Sequence, residues 1–196
     1  MRLTLNHNTD NGRLMMDPAV MKEVTGGIDN PSDAVITAET SLYRIAHKMW
    51  LDRTSNTWRP TGPDSAFASP WWSTYYHFNE VIWANDPDDM SWAGRAAFAI
   101  HPAWGTDCSN YASITTRTDL SVWYGLGKVV DAVDPQTGQA SSAHPSANVL
   151  QIYIPGMKAN HKRWAMYDKV LPFEKAARNT RGFQGNLPLG LRPSSV

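Results

Sequence analysis

The chain has 196 residues with Lys+Arg and Asp+Glu balanced at 18 each. That length fits one domain with a sizeable core, and the balance gives no overall field toward nucleic acid or acidic membrane. The only cysteine, Cys108, excludes an intrachain disulfide, and no apolar run approaches the roughly 20 residues that span a bilayer.

The first ten residues lack the apolar core of a secretory signal, so a chain that is cytoplasmic or delivered by a secretion system is expected. Nine tryptophans predict a Trp-rich core, with a Trp-lined ligand cleft as the alternative.

In chain order, residues 1–38 are polar and punctuated by Asp17-Pro18, Gly26-Gly27 and Asn30-Pro31. They predict a leader packed on the domain or partly ordered, with one short helix near 18–25. Residues 40–46 read as a strand. Ser69-Pro70 offers an N-cap with proline at the first helical position. The run Trp71 to Trp83 places Trp72, Tyr75, Tyr76 and Trp83 at helical spacing, predicting a helix that ends before Asp86-Pro87. A helix or strand covers 92–100, a strand 110–116, and a short helix 119–126 stopped by Gly125 and Gly127. Residues 131–147 read as a long polar loop, the kind that is usually functional or mobile. A strand over 149–154, a basic connector 158–163 and a strand over 164–171 follow. From 179 the chain is rich in Gly, Pro and Arg and predicts an irregular tail, leaving 39–178 as the principal domain.

Three elements carry chemistry. Arg44 stands alone in the apolar strand Ser41-Leu42-Tyr43-Arg44-Ile45, and a planar guanidinium can engage two phosphate oxygens at once. The Ser/Thr-rich run Tyr111-Ala-Ser113-Ile-Thr115-Thr is followed by Asp119-Leu-Ser-Val-Trp123-Tyr124-Gly. A strand ending in Pro155-Gly156 then precedes Met166-Tyr-Asp168-Lys-Val-Leu-Pro172.

In this order the elements resemble the mono-ADP-ribosyltransferase toxin and effector superfamily. The resemblance covers roughly residues 40–175 and implies an α+β fold of two roughly perpendicular β-sheets with flanking helices around an NAD cleft. It implies NAD as substrate, no metal, and transfer of ADP-ribose to a macromolecular target, with NAD hydrolysis when none is present. Arg44 would hold the phosphates. Ser113 would brace the site beside Thr115, and Trp123 or Tyr124 would flank the nicotinamide. The rival Ser65-Ala-Phe-Ala-Ser69 also precedes an aromatic segment. Asp168 stands where the family has its catalytic Glu, one methylene too short, with Glu174 in reserve. Met166, two positions earlier, departs from the Glu or Gln of the arginine-modifying subgroup. The Lys158–Trp164 loop would face the target, and an immunity or inhibitor protein is a further expected partner.

A second resemblance competes. Asp107-Cys108-Ser-Asn-Tyr is similar to a stretch of NlpC/P60-like cysteine amidases and peptidases, where a later His, here His144 or His161, would activate the thiol. A helix from Cys108 would have to run through Ser-Ile-Thr-Thr-Arg-Thr, a poor helix former. A non-catalytic interaction module is the remaining alternative. The six His and one Cys lack metal-ligand spacing, and no Gly-rich phosphate loop follows a strand.

Overall fold

The computed structural model describes residues 8–62, 64–83, 90–145, 149–172 and 191–192. It is a mixed α+β arrangement dominated by one antiparallel sheet. Its strands are β1 (Ile28–Ile36), β2 (Ser41–Ala46), β5 (Trp71–Thr74), β6 (Asn110–Thr116), β7 (Leu120–Gly127), β10 (Leu150–Tyr153), β11 (Ala165–Pro172) and β12 (Leu191–Arg192). They lie in the order β11-β6-β2-β5-β10-β7-β1-β12. Two hairpins stand apart, β3 (Met49–Asp52) with β4 (Thr57–Pro60) and β8 (Val130–Val133) with β9 (Ala140–Ala143). Among the described residues the α-helices that accompany them are α1 (Pro18–Gly27), α2 (Tyr75–Trp83), α3 (Met90–Ala97) and α4 (Met157–Trp164).

Helix α1 begins where Asp17 Oδ1 accepts the amide of Ala19 at 2.8 Å, with Pro18 at the first position, the capping expected of Asp-Pro. Its Val24 is fully buried and packs with Met15, Ile28, Trp123 and Tyr153. The expected leader thus contributes a helix and a strand to the sheet. β1 absorbs Pro31 through a register shift between Asp29 and Ser32, with Asn30 at φ +46°. A bulge of this kind is where a proline fits within a ladder.

Three further expectations are corrected. Residues 119–126 are strand β7, not a helix: Leu120 to Trp123 are all buried, so the strand lacks the alternation that would mark it. The stretch 131–147 contains the β8–β9 hairpin closed by Gly138 at φ +70°. The connector 158–163 lies in α4. The tail from 179 falls outside the described residues except for β12, which pairs with Val35 and Ile36.

The main core lies on one face of the sheet, built from Leu42, Trp72, Ala112, Ile114, Val122, Ile152, Met157 and Trp164 among others. On the opposite face α2 covers Ile45 and Tyr111 with Phe78. Of the expected Trp-rich core, Trp72, Trp123 and Trp164 are among the largest fully buried side chains, whereas Trp50, Trp58 and Trp104 are exposed.

Candidate functional site

The site follows from how little of β5 pairs with β2. The two strands join only at Leu42↔Thr74 and Tyr43↔Ser73. The next residues of β5, Trp72 and Trp71, pair instead with Ile152 and Tyr153 of β10. Beyond Tyr43 the two strands therefore diverge, and Arg44, Ile45, Trp71, Trp72 and Gln151 line the gap between them. A cleft of about 380 Å³ opens there, also lined by Glu23, His47, Phe98, Ile100, Trp104 and Cys108. Its size and mainly apolar walls with a few polar groups are ordinary for a small-molecule site.

Arg44 supplies the cleft's cation. Its Nε donates to Ile45 O at 3.1 Å and its Nη1 to Ala66 O at 2.9 Å. Cζ lies 5.9 Å from the centroid of the Trp72 ring. Among the described residues no carboxylate pairs with it and Nη2 has no hydrogen-bond partner. Burial lowers the guanidinium to about 10, which leaves it charged at neutral pH. Burial, with Arg44 nearby, also lowers the His47 imidazole, so His47 is biased toward its neutral form.

A serine and a threonine also stand on β5, the strand beside Arg44's own, where Ser73 pairs with Tyr43 and Thr74 with Leu42. Trp71-Trp72-Ser73-Thr74 forms β5 and runs straight into α2. Ser73 is fully buried and its Oγ donates to Leu150 O at 2.8 Å, locking β5 to the strand that carries Gln151. Thr74 Oγ1 accepts the His77 amide at 3.4 Å and caps α2. Gln151 sits at the position where β10 meets the cleft, 7% exposed, and its Nε2 donates to Phe98 O at 3.3 Å. Gly127 makes room for it, since a Cβ there would lie 2.6 Å from Nε2.

Of the residues expected in the site, Arg44 lines the cleft. Ser113 is on the adjacent strand but pairs with Tyr43, while Arg44 pairs with Ala112. Successive residues of a strand face opposite ways, so Ser113 lies on the far face from Arg44. There it is buried, and its Oγ has no hydrogen-bond partner among the described residues. Tyr43 on that same face is raised to about 12, chiefly by burial. Thr115 Oγ1 donates to Asp168 Oδ2 at 3.2 Å. Asp168 lies in the bulge of edge strand β11 between Tyr167 and Lys169, exposed and two strands from Arg44.

Trp123 is buried with Nε1 donating to Met15 O at 2.9 Å, and Tyr124 packs on the main core. Neither lines the cleft. Glu174 lies outside the described residues. Ser65 and Ser69 fall before β5, where Ser69 Oγ accepts the Trp71 amide at 3.2 Å. In the expected target-facing loop Trp164 is 2% exposed and belongs to the core, while Lys162 pairs with Asp64 at 2.7 Å and Arg163 with Asp10 at 3.4 Å.

Cys108 lines the cleft but precedes β6 at φ +49°, so no helix starts there. Burial pushes its thiol up. Neither His144 nor His161 lines the cleft, and His161 Nδ1 is engaged by the Tyr167 hydroxyl. A raised thiol holds less thiolate at any given pH, and only thiolate is nucleophilic. Iodoacetamide at pH 7 should therefore alkylate Cys108 at least about tenfold more slowly in the folded chain than in urea. The rate should climb only above the free-thiol range of about 8.5. Equal rates in both states would mark an activated cysteine.

Among the described residues no group of three His, Cys, Asp or Glu is placed to hold a metal, and no helix is long and apolar enough to cross a membrane. No protein-family model matches the chain, and no curated protein matches it. Among solved structures it is similar to a chain described as "Rhs1-CT in complex with cognate immunity protein RhsI1". The TM-score is 0.41 at 12% identity, covering 74% of this chain and 83% of that one.

Proposed function

We propose that the cleft binds NAD and that the chain is a mono-ADP-ribosyltransferase of the toxin or effector kind, transferring ADP-ribose to a macromolecular target and releasing nicotinamide. The observation that carries this reading is Arg44, a half-buried guanidinium with no carboxylate partner among the described residues, set where two strands part. A desolvated cation is costly unless an anion meets it. A pyrophosphate supplies that anion with a geometry matching the guanidinium fork. Trp71 and Trp104 give flat apolar surface for the rings of a dinucleotide. Ser73 braces the strand opposite and Thr74 fixes the helix behind it.

The arrangement departs from the family at the acid strand: Asp168 on β11 does not line the cleft, and the neighbouring wall from β10 presents the amide of Gln151. That departure supports a second reading, a chain that binds NAD without cleaving it. The target, and an immunity protein that would block the cleft, belong to the same proposal. The exposed Lys158 of α4 is available to the target, but the buried Trp164 is not.

Purified chain mixed with NAD tests this directly. Nicotinamide release, with label from adenine-labelled NAD appearing on a component of a cell lysate, is the expected outcome. Binding without release selects the second reading, and absence of NAD binding removes both.

A further inference from the structure

We propose that Glu23, carried into the cleft by α1 and held by the Tyr153 hydroxyl, is the carboxylate that stabilises the reacting ribose. This rests on the reading of the cleft as an NAD site. Among the described residues lining the cleft, Glu23 is the only one with a carboxylate. It comes from the amino-terminal helix rather than from the sheet, and neither Asp168 nor Gln151 can replace it there, one being outside the cleft and the other uncharged.

Glu23 is exposed on α1, and one hydrogen bond sets the place of its carboxylate. Tyr153 Oη donates to Glu23 Oε2 at 2.6 Å, and Tyr153 itself is buried beneath α1 with Val24 and Trp123. Burial and the bond to Glu23 both raise the Tyr153 phenol, so the hydroxyl keeps its proton and donates it to the carboxylate. Oε1 makes no hydrogen bond among the described residues, leaving one oxygen for a ligand. Four residues on, Gly27 lets the helix end rest on the cleft wall, since a Cβ there would lie 2.5 Å from Cη2 of Trp71. Trp71 in turn meets the Tyr153 ring edge-on at 4.9 Å between centroids. Glu23, Tyr153 and Trp71 are thus one packed unit joining α1, β10 and β5.

The reaction gives this carboxylate a defined task. The bond from ribose C1′ to the nicotinamide nitrogen breaks, and its electron pair neutralises the pyridinium. Positive charge moves to C1′ and the ring oxygen. A fixed carboxylate stabilises that charge without reorganising. An acceptor hydroxyl, amine or water then forms the new bond to C1′ and gives up its proton to solvent. Glu23 is the catalytic residue in this scheme and Tyr153 a positioning residue.

The full chain is assayed for nicotinamide release alongside NAD binding by calorimetry. Glu23→Gln should lower turnover by about 100-fold or more while the NAD dissociation constant stays within about threefold. Tyr153→Phe should lower kcat by about tenfold, the equivalent of one charge-assisted hydrogen bond, with KM unchanged. A Glu23→Gln protein that releases nicotinamide within about threefold of the wild-type rate overturns the assignment while leaving the NAD reading intact. Loss of release in Asp168→Asn with Glu23→Gln active moves the acid to Asp168 and overturns it equally. A wild-type chain that releases no nicotinamide overturns the NAD-cleaving reading and the assignment together.

Discussion

Arg44→Ala is expected to weaken NAD binding by about 2 kcal/mol or more, roughly 30-fold, in a calorimetric titration. Arg44 lies at the divergence of β2 and β5 and lines the cleft, two of its nitrogens occupied by the carbonyls of Ile45 and Ala66. Its desolvation has already been met on folding, so an arriving phosphate finds a strong donor without first stripping water from it. Arg44→Lys separates charge from geometry. It keeps the cation but loses the planar fork, and an intermediate affinity is expected. The fold should survive both changes. Each lost hydrogen bond costs about 1 kcal/mol, and removing a poorly solvated charge offsets part of that. Unchanged affinity for NAD in Arg44→Ala, with urea unfolding showing an intact fold, would take Arg44 out of the site.

Trp123→Ala should destabilise the chain by about 3–5 kcal/mol, read as a shift of the urea midpoint at constant slope. Trp123 is 1% exposed and joins β7 to α1 through Met15, Val24 and Ile28. Its truncation leaves a cavity under the helix and strands the Met15 carbonyl that Nε1 now satisfies at 2.9 Å. Trp123→Phe separates the two contributions. It restores most of the packing and leaves the carbonyl unmet, for a cost of about 1–3 kcal/mol. Were Trp123 beside the nicotinamide instead, Trp123→Ala would cut NAD affinity at nearly unchanged stability. That result would contradict its placement in the core.

Arg44 was legible because an isolated cation in an apolar strand needs a reason to be there. β2, β6 and β10 were legible too, as short β-branched or aromatic runs with clear boundaries. Ser73 and Thr74 were hidden by the aromatic residues around them. Trp72, Tyr75, Tyr76 and Trp83 fit a helical period, so the whole run from Trp71 read as one helix and the four-residue strand at its head disappeared. Ser113 drew attention as part of a longer Ser/Thr run, but alternation along β6 turns it away from Arg44, and only register decides which of two neighbours faces a cleft. β1 was missed because Asn30-Pro31 reads as punctuation when it is a bulge. Glu23 gave no local signal at all. Its relevance depends on α1 folding back across β10, a contact between residues 130 positions apart.

β5 is joined to each neighbour by two residue pairs, whereas the β1–β7 ladder has seven and the β2–β6 ladder six. Apart from the two-pair β1–β12 contact at the sheet edge, the β5 seams are the narrowest in the sheet among the described residues, and Trp71 and Trp72 of β5 line the cleft. Mechanically, a seam of two pairs inside the sheet is a line along which its two halves can shear or spread at low cost. A ligand reaching from Arg44 on one side to Trp71 and Gln151 on the other would clamp that seam. Its affinity would then depend on the resting gap between the halves as much as on the groups it touches. Residues that set the gap without contacting any ligand, Ser73 with its bond to Leu150 first among them, act as tension controls on the site.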